Sequence, residues 1–150
     1  MTYYEFIKDV SLWLSGTTIS GSTQTLFIKE CLVDEIELSE IDYSPDFRIY
    51  ITPLPITIDN DNRATYSCQV YIVSDIGLSP MIPDSGETIT RRFVEYNNCV
   101  NFFQAFIQQI PSDGVPDFTY PITGTFVQLW DMKYDGIYFD LSMTTGVDCI

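Results

Sequence analysis

The chain has 150 residues, with 7 Lys and Arg against 21 Asp and Glu and no His, so its formal net charge is −14. Because a chain without basic patches gains no counterion release from phosphate groups, we expect no conventional nucleic-acid binding. The lack of histidine removes the Ser-His-Asp and Cys-His nucleophile pairs and His-ligated zinc. Phosphate-binding loops and other catalytic motifs are missing from the sequence. We therefore predict no enzymatic activity, no cofactor and no metal.

The composition is that of a folded domain. Hydrophobic residues make up 45% of the chain and aromatic residues 15%, far more than in a disordered acidic tail. We predict a single domain over residues 1–150, in which residues 17–46 are a candidate extended arm or loop. The apolar runs are short, and the N-terminus carries Glu5 and Asp9 where a signal peptide carries positive charge. A soluble, unexported chain without a membrane partner is the expectation.

The four cysteines are widely spaced, without a C-x-x-C pair that would indicate a zinc or redox site. Two disulfides are formally allowed by the even number. In a chain without an export signal, however, the pattern is typical of free thiols that pack as small hydrophobic side chains. These residues are Cys31, Cys68, Cys99 and Cys149.

The first predicted element is a helix over Thr2 to Ser15. Thr2 and Glu5 have the spacing of a capping box, apolar residues follow at helical spacing, and Gly16 ends the pattern. Residues 17–25 are polar and aperiodic, which predicts a loop or a flexible arm.

An acidic segment runs from Glu30 to Asp46, with seven carboxylates and no basic residue. Apolar residues are interleaved with the acids along the run. The pattern allows either a short strand or an arm that packs against a partner.

The next predicted unit is a hairpin in which apolar and polar residues alternate on both sides of the turn 59–62. Its predicted register pairs Ile51 with Val70, Ile49 with Ile72 and Ile58 with Arg63. Two prolines, at positions 53 and 55, remove ladder donors and predict a bulge or an edge position.

A long helix and a second hairpin complete the chain. Apolar residues from Ile89 to Ile110 step by four and three, and a proline follows, which predicts a helix whose stripe Phe102 and Phe106 widen. Asp135-Gly136 is a strong two-residue turn signal. The predicted hairpin pairs are Tyr134 with Ile137, Met132 with Phe139, Trp130 with Leu141, and Asp131 with Asp140.

Together these elements predict an α+β fold, in which an antiparallel sheet of two hairpins is packed by an N-terminal helix and a long middle helix, in the order α-β-β-α-β-β. Residues 59–62 superficially match a calcium loop, but Ala64 stands where Gly is needed and Val70 where Glu is needed, so we interpret them as a turn. Two facing acids, Asp131 and Asp140, are the best carboxylate pair. Without a third ligand we interpret them as solvated surface or the acidic wall of an assembly.

This order of elements resembles the small tail-completion or tail-terminator proteins of tailed bacteriophages, which form rings at the head–tail joint. The similarity lies in the capped helix (Thr2 to Ser15), the strand Phe47 to Ile51, the long helix Ile89 to Ile110 and the final segment Asp135 to Leu141. It covers most of the chain and rests on architecture. The composition is also similar to that of neck proteins of Bacteroides phages of the crAss-like group. The segment Glu30 to Asp46 departs from the family pattern.

The resemblance implies a structural virion protein of the neck or tail, assembled in the host cytoplasm. It implies a cyclic homo-oligomer of six or twelve subunits that docks on neighbouring connector, portal or tail-tube proteins. DNA would pass through the ring without specific binding, past an acidic channel. The candidate residues for this channel or for a docking surface are Glu30, Asp34, Glu35, Glu37, Glu40, Asp42, Asp131 and Asp140.

Two alternatives stay open. A small ligand-binding or enzymatic α+β module predicts an enclosed apolar cavity lined by Phe103, Trp130 and Phe139, between the sheet and the long helix. An acidic inhibitor that mimics DNA fits the net charge, and it requires carboxylates spaced along one exposed face.

Overall fold

The computed structural model describes residues 1–32, 35–36, 46–75, 90–110, 118–129 and 134–145. Within them the chain forms two helices and eight strands. In chain order these are α1 (Tyr3–Ser15), β1 (Thr18–Ile19), β2 (Ser22–Thr23), β3 (Leu26–Glu30), β4 (Phe47–Pro53), β5 (Thr57–Ile58), β6 (Ala64–Asp75), α2 (Arg91–Gln109), β7 (Thr125–Leu129) and β8 (Tyr134–Thr144).

Six of the strands form one mixed sheet in the order β3-β4-β6-β8-β7, with β5 paired to β6. The strands β3 and β4 run parallel, and the other pairs are antiparallel. The α+β class and the two helices are as predicted. The sheet itself is more complex than two hairpins, because β3 joins it and β6 pairs with β8 along almost its whole length.

The first helix matches its prediction in detail. The Thr2 hydroxyl accepts from the Glu5 backbone N–H at 3.1 Å, and the Glu5 carboxylate accepts from the Thr2 N–H at 2.9 Å. Both bonds of the capping box are therefore formed. Gly16 caps the other end.

The first hairpin also keeps its predicted register, with Ile51 opposite Val70 and Ile49 opposite Ile72. Beyond Pro53 the register moves by one residue, because Ile58 pairs with Ala64 and not with Arg63. The two prolines interrupt the ladder at this point, so the predicted irregularity is present. Residues 59–62 form the turn, which the bond from the Asn62 N–H to the Asp59 carbonyl closes at 3.1 Å.

The second hairpin was predicted wrongly. Asp135 and Gly136 are not a turn but lie inside β8, between β6 on one side and β7 on the other. Leu141 therefore pairs with Cys68 instead of Trp130, and Asp140 pairs with Gln69 instead of Asp131. Since β7 pairs Leu129 with Tyr134, the strands are joined through residues 130–133, which lie outside the described residues.

A close backbone approach explains the glycine that suggested a turn. A Cβ at position 136 would lie 2.5 Å from the Ile72 carbonyl oxygen of the neighbouring strand. Gly136 thus permits the close approach of β8 to β6. In a sequence, a glycine with this role cannot be distinguished from a glycine in a turn.

The long helix is shorter and rotated relative to its prediction. It begins at Arg91, and Ile89 lies outside the described residues. Phe93, a member of the predicted apolar stripe, is 61% exposed, whereas Phe102 and Phe106 are fully buried against the sheet. The Phe102 ring lies 4.9 Å from that of Phe47 on β4, so these two rings pack on each other within the buried core.

Much of the segment 17–32 belongs to ordered structure instead of a free arm. The strands β1 and β2 form a small hairpin around Ser20 and Gly21, both of which have positive φ. The strand β3 adds a parallel edge to the sheet. Ile36 is buried on the sheet face opposite the helices, in a second apolar cluster with Cys31, Tyr50 and Val73.

Substitution Gly136→Ala is expected to destabilise the fold by about 2 kcal/mol, because the added methyl group forces β8 away from the Ile72 carbonyl. Urea unfolding followed by circular dichroism measures the change. Gly16→Ala is the matched control, since its Cβ meets the Leu12 and Trp13 carbonyl oxygens at 3.5 and 3.9 Å, which are ordinary contacts, and its φ of −89° suits alanine. We expect that variant to gain about 0.5 kcal/mol. An equal effect of both substitutions would contradict the packing role of Gly136.

Candidate functional site

Three of the eight acidic candidate residues lie in the described part of the chain. Glu30 ends β3 and is exposed, and Glu35 is exposed with its carboxylate accepting from the Leu32 N–H at 3.2 Å. Asp140 lies in the middle of β8, where its carboxylate accepts from the Gln69 amide at 2.9 Å. Because β4 and β6 separate β3 from β8, Glu30 and Asp140 are on strands about 14 Å apart.

The other five candidates lie outside the described residues. They are Asp34, Glu37, Glu40, Asp42 and Asp131. Burial raises the pKa of the Cys31 thiol, and the nearby carboxylates of Glu35 and Glu30 raise it further, so the structure brings both of them close to Cys31. Asp140 belongs to a different surface, so the described acids do not form one continuous cluster.

An open apolar pocket lies beside Glu30 and Glu35, with a volume of about 320 Å³. The start of α1, the end of β3 and strand β4 supply its walls. The apolar lining residues are Tyr3, Ile7, Cys31, Leu32, Ile51 and Pro53. We call this feature the acidic-rimmed pocket.

A ladder of polar side chains crosses β6 and β8 on the sheet face that points away from the helices. The hydroxyl groups of Ser67 and Ser142 lie 2.8 Å apart, and those of Thr65 and Thr144 lie 2.9 Å apart. The tyrosine rings at positions 71 and 138 follow, with their centroids 5.4 Å apart. We call this face, which includes Asp140, the polar stripe. Its serine and threonine hydroxyl groups pair with one another across the two strands.

A buried polar cluster lies where α2 crosses the ends of β6, β7 and β8. Ser74, Asp135 and Gln128 face one another across these three strands. Arg92 on α2 lies beside these three residues, with its Nε 3.3 Å from the fully buried carboxylate of Asp135. The Gln128 amide oxygen, oriented toward the guanidinium, accepts from the same Nε at 2.9 Å.

A second carboxylate completes this cluster. Glu95 is 3% exposed, and its carboxylate accepts a short hydrogen bond from the Ser74 hydroxyl and a bond from Asn98 at 3.3 Å. Burial raises the pKa of Asp135, the nearby Arg92 opposes that shift, and Glu95 adds to it. The cluster thus anchors the first half of α2 to three strands. The sequence contains one signal for this cluster, an acidic residue at position 95 on the same helix face as Cys99 and Phe102. The spacing of apolar residues does not reveal it.

An exposed aromatic patch adjoins this cluster. The ring of Tyr96 lies 6.0 Å from that of Phe93 on α2 and 4.6 Å from that of Phe126 on β7. Phe93 is 61% exposed and Phe126 is 53% exposed. Since β7 ends the strand order, the patch lies beside a sheet edge. Exposed aromatic side chains beside an edge strand are typical of protein–protein interfaces.

The space predicted for a ligand cavity is partly filled. The rings of Phe103 and Phe139 lie 4.6 Å apart, and Phe106 packs on Phe139 at 5.7 Å. Trp130, the third predicted lining residue, lies outside the described residues.

The described cysteines are free and buried, as predicted, and Cys149 lies outside the described residues. Burial raises the pKa of the Cys68 thiol to about 12 and also raises that of Cys99, so neither thiol is a nucleophile at neutral pH. In the described ranges, no group of three or more Cys, Asp or Glu side chains is arranged to hold a metal ion. Neither of the two described helices combines the length and the apolar character needed to cross a membrane.

No protein-family model matches the chain, and no curated protein matches its sequence.

The stability of the Asp135→Asn variant, relative to that of wild type, is expected to increase as the pH rises. Because the folded state raises the pKa of Asp135, its contribution to stability is present below the unfolded pKa of about 3.9 and is lost as the pH rises through the folded pKa. Asparagine stays neutral and lacks this loss. Urea unfolding at a series of pH values from about 4 to 8 measures the difference.

The control is Asp140→Asn, which removes one carboxylate from the exposed side of the same strand. A stability difference between Asp135→Asn and wild type that stays constant over this pH range would contradict the assignment.

Proposed function

We propose that this chain is a structural subunit of a cyclic homo-oligomer at the head–tail joint of a tailed bacteriophage. The ring docks on neighbouring connector, portal or tail-tube proteins and leaves a channel for DNA. The observation that carries the self-association is the aromatic patch of Phe93, Tyr96 and Phe126 beside the edge strand β7. The virion setting rests on the resemblance of the element order to tail-completion and tail-terminator proteins.

The two ends of the sheet favour a head-to-tail contact. One end is the antiparallel strand β7 with the aromatic patch, and the other is the parallel strand β3 with the acidic-rimmed pocket. Because these surfaces differ, the aromatic patch of one subunit meets a different surface of its neighbour, outside the acidic-rimmed pocket, and such contacts close into a ring when the rotation permits. A two-fold dimer would instead require one self-complementary patch.

The charge of −14 suits a channel through which DNA moves without being held. Lys and Arg side chains on the channel wall would retain the phosphates, whereas carboxylates repel them. The described residues that we assign to such a wall or to a docking surface are Asp140 on the polar stripe, Glu30 at the end of β3, and Glu35. Asp34, Glu37, Glu40, Asp42 and Asp131 extend this assignment by sequence alone.

The packing of the core favours this proposal over a ligand-binding or enzymatic module. Phe103, Phe106 and Phe139 occupy the space between α2 and β8 with ring contacts of 4.6 and 5.7 Å. Interior close packing of this kind supports a rigid building block.

The assembly state tests the proposal. Size-exclusion chromatography with light scattering and native mass spectrometry are expected to give a mass of six or twelve times 17.2 kDa. The double variant Phe93→Ser/Phe126→Ser is expected to shift the protein to lower mass, because it removes the exposed apolar area of the patch.

Tyr4→Ser is the matched control, since Tyr4 is 72% exposed on α1 and outside the patch, and it should leave the mass unchanged. A wild-type mass of 17.2 kDa at about 100 µM would contradict the ring, as would an equal loss of assembly in both variants.

A further inference from the structure

The acidic-rimmed pocket combines apolar walls with negative charge at its mouth. Tyr3 and Ile7 on α1 form one wall, and Ile51 and Pro53 on β4 form another. Its volume of about 320 Å³ is at the lower end of the range for binding pockets, enough for one large side chain rather than a cofactor. Leu32 at the mouth is 55% exposed, which leaves apolar surface available to a partner.

Hydrogen bonds fix the β3 side of this pocket. The Cys31 N–H donates to the Ile51 carbonyl at 3.0 Å, which continues the β3 to β4 ladder beyond Glu30. The Leu32 N–H then donates to the Glu35 carboxylate at 3.2 Å. This side of the pocket is therefore held in place by the fold itself, which lowers the cost of ordering it on binding.

The charge at the mouth favours a cationic ligand. Glu30 and Glu35 both line the pocket. Burial and these two carboxylates raise the pKa of the Cys31 thiol, and Lys29 is the cation among the described residues that opposes them. Two carboxylates against one ammonium group leave the mouth negative, on a chain whose net charge is also negative. An anionic ligand such as a phosphate would be repelled.

We propose that the acidic-rimmed pocket binds a partner protein segment in which one apolar or aromatic side chain is flanked by Lys or Arg. The apolar side chain enters between α1 and β4, and the flanking cations lie against Glu30 and Glu35. Charge complementarity selects a basic partner over a second copy of this acidic chain. The inference does not depend on ring formation.

The test uses two short peptides that differ only in charge, acetyl-Lys-Phe-Lys-amide and acetyl-Glu-Phe-Glu-amide. Methyl-labelled protein is titrated with each peptide and followed by NMR. We expect the methyl signals of Ile7, Leu32 and Ile51 to move with the lysine peptide. Its dissociation constant should be lower than that of the glutamate peptide by about fivefold to tenfold, the size of two exposed ion pairs.

The variant Glu30→Gln/Glu35→Gln is expected to reduce this preference to about twofold or less while the apolar contacts persist. Glutamine keeps the acceptor for the Leu32 N–H, so the pocket wall is preserved. The control Asp140→Asn removes one carboxylate away from the pocket and should leave the preference intact, because β8 lies three strand spacings from β3. Raising the salt concentration should weaken the binding of the lysine peptide more than the binding of the glutamate peptide.

Three results would overturn the proposal. They are equal affinities for the two peptides, shifts confined to methyl groups outside the pocket, and pocket signals that move with protein concentration in the absence of peptide. The last of these would assign the pocket to a second copy of the chain. A monomeric mass in light scattering would overturn only the ring, and the peptide preference would stand.

Discussion

The pairing of β6 with β8 is the constraint on which the rest of the fold depends. It runs from Thr65 opposite Thr144 to Asp75 opposite Tyr134 and joins segments about 70 residues apart. Since side chains alternate along a strand, this single register places Val70 and Phe139 in the helix-facing core and the polar stripe on the opposite face. A slip of one residue would exchange the two faces. Gly136 protects the register, because only a residue without Cβ fits beside the Ile72 carbonyl.

The sequence could predict those elements whose signals are local. The capping box of Thr2 and Glu5 and the alternation on either side of residues 59–62 are set by neighbours within a few residues, and the structure confirms both. The turn predicted at Asp135-Gly136 was wrong, because a tight turn and a close approach of two strands favour the same residues. The strand β3 was missed because its parallel partner follows a long acidic segment, and a parallel pairing leaves no turn signal. Of the candidate site, Glu30 and Glu35 were identified by charge, whereas the pocket walls depend on how α1 packs against β3 and β6.

The buried polar cluster decides which face of α2 is exposed. Apolar spacing alone would turn Phe93 inward, yet it is 61% exposed. Arg92 and Glu95 instead face the row of Ser74, Asp135 and Gln128. Burying such charges is expensive, so replacing them with apolar residues of similar volume would often stabilise a protein. What the ion pair supplies here is the rotational setting of the helix, and that setting brings Tyr96 against Phe126 and forms the aromatic patch.

Buried charge and surface charge therefore have separate roles in this chain. The Asp135 carboxylate is removed from water and held by Arg92, where it fixes the orientation of α2 and the aromatic patch at the β7 end of the sheet. Glu30 and Glu35 remain exposed at the β3 end, where they attract cations without a desolvation penalty. Because the two ends differ in both chemistry and strand direction, they cannot substitute for each other as binding surfaces. An assembly built on the aromatic end consequently leaves the acidic end free for a partner of opposite charge.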